Sequence, residues 1–180
     1  MEPLSSYGNF LNTSLLFYNA NAVNEPLQFS ASDVKDLFSV LNEEGVKYLL
    51  VGGFALAFHG YFRGTVDLDV WVEDSPSNKK AIARAFGRLG VIGSELLSIM
   101  PFVAGFTSFH LGANGFEVDM RNNLFLFKAS SFQACYQRCA EASILGVPVM
   151  VLSKEDLIKE KESTGRPKDT DDAEQLKKTR

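Results

Sequence analysis

A chain of 180 residues, 46% of them hydrophobic, is long enough to bury one hydrophobic core. Its formal net charge of −4 argues against a generally basic surface for long nucleic acid and favours small substrates or a protein partner. The sequence has no uninterrupted run of about 18 apolar residues and no basic region before an N-terminal hydrophobic stretch, so we predict a cytoplasmic protein without a membrane span or secretory signal.

Residues 1–29 contain many Asn residues with scattered Leu, Phe and Tyr, a mixture that fits neither a core strand nor a disordered tail. We assign them no structure. From residue 30 onward, capping residues and apolar periodicity predict one domain, 30–180. Cys135 and Cys139 lie four residues apart on a predicted helix, so we expect reduced thiols and no disulfide between them.

The elements of this domain follow from the spacing of apolar residues and from Gly, Pro and Ser punctuation. In chain order we predict a helix over 34–41, a strand over 48–51, a helix over 54–59, a strand over 66–72, a helix over 79–89, a hairpin of strands 106–111 and 115–120, a helix over 131–142, a strand over 147–151, a helix from 154 and a helix over 168–178. Ser75 and Ser153 are predicted N-caps, and Pro148 favours an edge strand because proline cannot donate a ladder hydrogen bond. This mixture predicts an α/β (α+β) fold with a mixed β-sheet flanked by helices.

Two glycines, Gly52-Gly53, are followed after thirteen residues by Asp67-Leu68-Asp69. Carboxylates one residue apart on a strand share a face, with Cα atoms about 7 Å apart, so Asp67 and Asp69 can both approach one divalent cation or a close pair. The glycines end a strand and open a helix, where backbone N–H groups can meet an anion, unless they only end the strand tightly. Phosphate beside a metal ion is the implied chemistry.

A third carboxylate would complete such a site, and Phe116 to Met120 offers two candidates. Strand alternation sends Glu117 and Asp119 to one face and the apolar residues to the other. The alternation itself does not choose between them, and a solvent-facing acid on an exposed strand is the alternative for either.

The residues from Gly52-Gly53 through Asp67 and Asp69 resemble the nucleotidyltransferase superfamily that includes polymerase beta, whose signature is a hydrophobic residue, Gly-Gly or Gly-Ser, a spacer, then Asp-x-Asp between hydrophobic residues. They look like its small stand-alone bacterial and archaeal members, which are related to abortive-infection type nucleotidyltransferase toxins. The resemblance covers 46–176 and implies a minimal nucleotidyltransferase fold that binds Mg²⁺, or alternatively Mn²⁺. It also selects Asp119 as the third acid, since the family places that acid after a hydrophobic residue on the strand following a hairpin.

The resemblance implies further nucleotide-binding residues. These are Gly52, Gly53, His59, Arg63, Thr65, Lys161 and Lys168. Arg63 suits a phosphate contact because a guanidinium binds oxygens bidentately. Structural alternatives exist for several of them: His59 could cap its own helix, Thr65 could be a β-branched strand residue, and Lys161 and Lys168 could form structural salt bridges. The resemblance also implies that Asp169 could orient Arg or Lys side chains.

The function that this implies is metal-dependent transfer of a nucleoside monophosphate from an NTP to an acceptor hydroxyl, with release of pyrophosphate. The acceptor could be a small molecule, a tRNA end or a protein, and a protein partner or a homodimer stays open. One alternative is a nucleotide-binding regulatory or toxin–antitoxin module with little or no turnover. Another is a metal-dependent phosphohydrolase that uses the same acids and a water.

Overall fold

The computed structural model describes residues 31–65, 67–104, 107–112 and 116–179. The unassigned segment 1–29 lies outside these residues, as do residues 66, 106 and 113–115 of the predicted strands and hairpin connection. The prediction of one domain over 30–180 remains a prediction.

Strands and helices alternate through most of the described chain. The strands are β1 (Tyr48–Leu50), β2 (Asp67–Val72), β3 (Ser108–Leu111), β4 (Phe116–Arg121), β5 (Ala140–Ile144) and β6 (Val147–Val151). The α-helices are α1 (Ala31–Glu43), α2 (Gly52–Phe58), α3 (Pro76–Arg88), α4 (Phe132–Gln137), α5 (Lys154–Ser163) and α6 (Pro167–Lys178), with 3₁₀ turns at Ser94–Ser98 and Ala129–Ser131. Among the described residues, none of these helices combines the length and the apolar character that a bilayer crossing requires.

The strands form one six-stranded mixed sheet in the order β3-β4-β2-β1-β6-β5. β2 runs parallel to β4 and antiparallel to β1, and β1 runs parallel to β6. The outer pairs β3–β4 and β5–β6 are antiparallel, as the predicted hairpin requires for the first of them. The predicted mixed sheet with flanking helices is therefore confirmed.

Two predicted helix caps are present in the structure. The hydroxyl of Ser75 accepts a hydrogen bond from the backbone N–H of Asn78, and Pro76 occupies the first turn. The hydroxyl of Ser153 likewise accepts from the N–H of Asp156. Each cap satisfies one backbone donor that a helix start leaves without a partner. The helices therefore begin directly after the two serines, at Pro76 and Lys154, the first of them three residues before the predicted range 79–89.

The helix predicted over 131–142 is wrong in its second half. It ends at Gln137, and Ala140–Ile144 forms strand β5 instead. The cause is tertiary: β5 pairs with β6 through a two-residue turn in which Leu145 and Gly146 both have positive φ, 49° and 84°, as a tight hairpin needs. Local helical spacing therefore gives way to hairpin pairing and burial.

The prediction that Pro148 lies on an edge strand is also wrong. Pro148 belongs to β6, and β5 is the outermost strand at that end of the sheet. Pro148 pairs with Ser143 of β5, whereas β1 reaches β6 only at Val151. The proline is tolerated because, among the described residues, this part of β6 has no ladder partner on its β1 side.

Candidate active site

A cleft of about 480 Å³ opens where β1 and β2 meet the glycine turn, and helices α5 and α6 form one of its walls. Asp67, Asp69 and the pair Gly52-Gly53 line it. Residues more than ninety positions further along the chain, among them Lys161 and Lys168, line it as well. The fold therefore brings the sequence motif and the C-terminal helices to one place.

The parallel pairing of β2 and β4 brings the predicted acids together. Asp69 lies beside Asp119, and Asp67 lies beside Glu117. Leu68 and its neighbours on β4 point to the opposite, fully buried side. Asp67 and Asp69 line the cleft itself, whereas Asp119 is buried next to Asp69 and is not among the lining residues.

Arg121 lies between two of these acids. One nitrogen of its guanidinium, Nη2, contacts Oδ1 of Asp69 and Oδ2 of Asp119. Its Nε is buried and has no hydrogen-bond partner among the described residues. Arg121 is not among the residues predicted for the site, although alternation from Asp119 places it on the same face of β4.

The carboxyl group of Asp69 is a weaker acid than an exposed aspartic acid side chain. Burial raises the pKa of Asp69 to about 6, Arg121 opposes this rise, and the carboxylates of Asp67 and Asp119 add to it. A buried carboxylate among like charges gains from any cation that reaches it. The site therefore favours binding of further positive charge.

The glycine turn approaches the acids closely. Gly52 has φ +64°, and a Cβ built on it would lie 1.8 Å from Oδ2 of Asp69. A Cβ on Gly53 would lie 2.6 Å from the Cβ and Oγ1 of Thr65. Helix α2 begins at Gly52, two residues before its predicted start at Phe54. The two glycines are therefore required by close packing against the acid site.

Thr65 and Arg63 lie in the loop between α2 and β2, and both line the cleft. Oγ1 of Thr65 donates a hydrogen bond to Oδ1 of Asp67 at 3.0 Å and so holds that carboxylate. Arg63 binds Asp172 of α6 bidentately, with Nε–Oδ1 2.7 Å and Nη2–Oδ2 2.9 Å. The guanidinium of Arg63, which we predict to bind phosphate, thus already binds a carboxylate.

Lys161 is almost fully buried, with 7% of its surface exposed. Its Nζ lies 2.5 Å from Oδ1 of Asp169 and 2.9 Å from Oδ2 of Asp172. Burial alone would raise the pKa of Asp172, but hydrogen bonds from Arg63 and Lys161 outweigh burial and lower it. In the structure Lys161 therefore forms salt bridges, which is the structural alternative to phosphate binding.

The two remaining predicted residues lie in different surroundings. Lys168 is exposed and lines the cleft. His59 is not among the lining residues: its Nε2 lies 2.8 Å from the carbonyl oxygen of Leu152, to which it must donate. Burial lowers the pKa of His59, which favours the neutral ring, and its hydrogen bond links α2 to the start of α5.

The acids satisfy the chemical requirements of a divalent cation, although they are not arranged around one. Among the residues that the structure describes, no group of three or more His, Cys, Asp or Glu side chains has metal-binding geometry. The positive guanidinium of Arg121 takes the place between Asp69 and Asp119. Carboxylate oxygens are the ligands that Mg²⁺ and Mn²⁺ prefer, so the types of donor fit such an ion.

No family model and no curated protein matches the chain. Among solved structures, the chain is similar to the antibiotic-resistance factor ANT(2'')-Ia, which was described with substrate-regulated conformational dynamics. The TM-score is 0.54 and the sequence identity 18%, over 82% of this chain and 80% of that one. At this identity the similarity establishes the fold alone, and it confirms the predicted nucleotidyltransferase fold.

Proposed function

We propose that this protein is a metal-dependent nucleotidyltransferase, which moves a nucleoside monophosphate from an NTP to an acceptor hydroxyl and releases pyrophosphate. The observation that carries the proposal is the pairing of Asp69 with Asp119 on neighbouring parallel strands, with Asp67 on the same face. The acids adjoin a cleft whose floor is the glycine turn. The fold shared with ANT(2'')-Ia supports the same reaction class.

Asp67, Asp69 and Asp119 would hold the divalent ion, Mg²⁺ or Mn²⁺, which when bound polarises phosphoryl oxygens and neutralises triphosphate charge. Thr65 keeps the Asp67 carboxylate oriented through its hydrogen bond. Asp119 lies on the β3 side of the acid cluster and accepts the proton of the acceptor hydroxyl. Gly52 and Gly53 line the cleft, and backbone N–H groups at the start of α2 would contact a phosphate there.

The α5–α6 wall supplies the positive charge for the triphosphate. Lys168 is exposed in the cleft and contacts the phosphates as a point charge. Arg63 and Lys161 are held by Asp172, so they contribute a fixed positive potential and tie the loop before β2 to α6. His59 acts from outside the cleft as a structural link.

A second candidate is a nucleotide-binding regulatory or toxin–antitoxin module with little turnover, in line with the resemblance to abortive-infection type toxins. The position of Arg121 favours it, because the guanidinium already neutralises Asp69 and Asp119 without a metal ion. If Arg121 stays in place when an NTP binds, the chain binds nucleotide but does not transfer it.

The acceptor is found by incubating the protein with cell extract, Mg²⁺ and each of the four NTPs labelled at the α-phosphate. We expect one labelled species, a small molecule, a tRNA or a protein, and none with the matched variant Asp69→Asn. Nucleotide binding without any transferred label would support the regulatory module instead.

A further inference from the structure

An exposed apolar segment adjoins the cleft. Leu124 follows β4, is buried and lines the cleft. The next two residues, Phe125 and Leu126, are not among the lining residues but bond to Glu160, which is, and they are 62% and 46% exposed. We name this segment, Leu124–Leu126, the rim. Two large apolar side chains in a row at the border of a charged cleft differ from the single exposed apolar residues that any surface carries.

The rim is held firmly from two sides. The carboxylate of Glu160 on α5 accepts hydrogen bonds from the N–H groups of Phe125 at 2.7 Å and Leu126 at 2.9 Å. The Nζ of Lys128 donates to the carbonyl oxygens of Leu124 at 3.2 Å and Phe125 at 2.5 Å. A backbone fixed by this many polar contacts displays its side chains in one place, and such preorganisation favours binding of a ligand.

One part of the cleft is charged and another is apolar. This difference indicates which part of a ligand would contact the rim. The glycine turn, Lys168 and the acids suit a metal-bound phosphate chain. Leu157 lies on α5 one turn before Glu160 and, with Leu124 of the rim, gives the cleft an apolar corner. A ligand that matches both parts is anionic at one end and carries a flat apolar surface at the other.

We infer that the rim and Leu157 form the seat for the nucleobase of the NTP, with the ring of Phe125 as the stacking surface. This inference rests on the proposed function and extends it to the base. The Glu160 carboxylate is already used by the rim backbone. Recognition is therefore by stacking and apolar contact, which accept every base because each has a π face.

The test compares two ligands on the full chain by calorimetry in the presence of Mg²⁺: a non-hydrolysable ATP analogue and inorganic tripolyphosphate, which has no base. We expect Phe125→Ala to weaken the analogue about tenfold or more and to leave tripolyphosphate unchanged. Phe125→Trp, which keeps a stacking ring, should bind the analogue as wild type does. The matched control is Ile99→Ala, a loss of apolar surface at a side chain that is 79% exposed elsewhere, and it should change neither affinity.

The base seat is overturned if Phe125→Ala binds the analogue as tightly as wild type, if it loses both ligands equally, or if Phe125→Trp binds as poorly as the alanine variant. The base seat is also overturned if the wild-type protein binds the ATP analogue no more tightly than tripolyphosphate. That result would leave the phosphate site of the proposed function intact. A wild-type protein that binds neither ligand overturns the proposed function, and the base seat with it.

Discussion

Oδ2 of Asp69 occupies the space that a side chain on Gly52 would need, since a Cβ built there would lie 1.8 Å from that oxygen. The glycine turn and the acid are thus one steric unit, although sixteen residues of sequence lie between them. The φ of +64° at Gly52 adds a second reason for glycine at this position.

Gly52→Ala should destabilise the fold through both effects. We expect a loss of about 1 kcal/mol in the free energy of unfolding from the positive φ, and about 1–3 kcal/mol more from the overlap with Asp69. Gly45→Ala is the matched control, because Gly45 has φ +70° and nothing within 4 Å of a built Cβ. Urea denaturation of both variants separates the two contributions, and equal losses would show that contact with Asp69 is unimportant.

Arg121→Gln should tighten the binding of Mn²⁺ in the absence of nucleotide. The variant removes the cation that competes for Asp69 and Asp119, so we expect an affinity about tenfold higher by electron paramagnetic resonance of free Mn²⁺. Arg84→Gln removes an exposed arginine that pairs with Glu44 and should leave the affinity unchanged. Weaker or equal binding by Arg121→Gln would mean that the guanidinium does not compete with metal.

Asp119→Asn should eliminate transfer and spare much of the metal–NTP binding, because Asp119 acts on the acceptor side. Glu117→Gln should have little effect, since Glu117 is beside Asp67 and not beside Asp69. Initial rates with the identified acceptor, together with calorimetry of the metal–NTP complex, check both variants. An inactive Glu117→Gln beside an active Asp119→Asn would reverse the assignment.

Asp172→Asn should lower the free energy of unfolding by about 3–5 kcal/mol at pH 7, because it leaves Arg63 without a buried counter-charge and Lys161 with Asp169 alone. The pKa of Asp172 is lowered by folding, so its contribution is present above the unfolded value near 3.9 and is lost as the pH falls through the folded value. The difference between wild type and variant should therefore shrink below about pH 4.

The exposed neighbour gives the control for that experiment. Asp171→Asn should change the free energy of unfolding by less than about 0.5 kcal/mol at any pH between 3 and 7. A difference for Asp172→Asn that stays constant through the acid range would indicate a loss of packing rather than of charge pairing.

The sequence predicts the parts of this fold that local signals specify. Ser75 and Ser153 cap their helices as expected, and the alternation of Asp67, Leu68 and Asp69 sets the faces of β2. It fails where distant pairing decides, as in Ala140–Ile144, whose strand depends on its hairpin with β6. Tertiary pairing overrides helical spacing there.

Predictions for the site divide along the same line. Strand alternation and family resemblance select the acids, and the register of β2 and β4 brings them together. The bond from Arg63 to Asp172 spans 109 residues, and no local pattern indicates it. Arg121 had a local signal in its parity with Asp119, but one strand's periodicity does not say which charged residue will face an acid on its neighbour.

The most direct test of nucleotidyl transfer follows two labels at once. The protein is incubated with Mg²⁺, the identified acceptor and ATP, or whichever NTP gives label in extract, labelled at the α-phosphate in one sample and at the γ-phosphate in another. We predict that the α-label moves to the acceptor and the γ-label leaves as pyrophosphate in equal amount, with both signals lost in Asp69→Asn. A γ-label on the acceptor, or γ-label released as orthophosphate, would contradict the account.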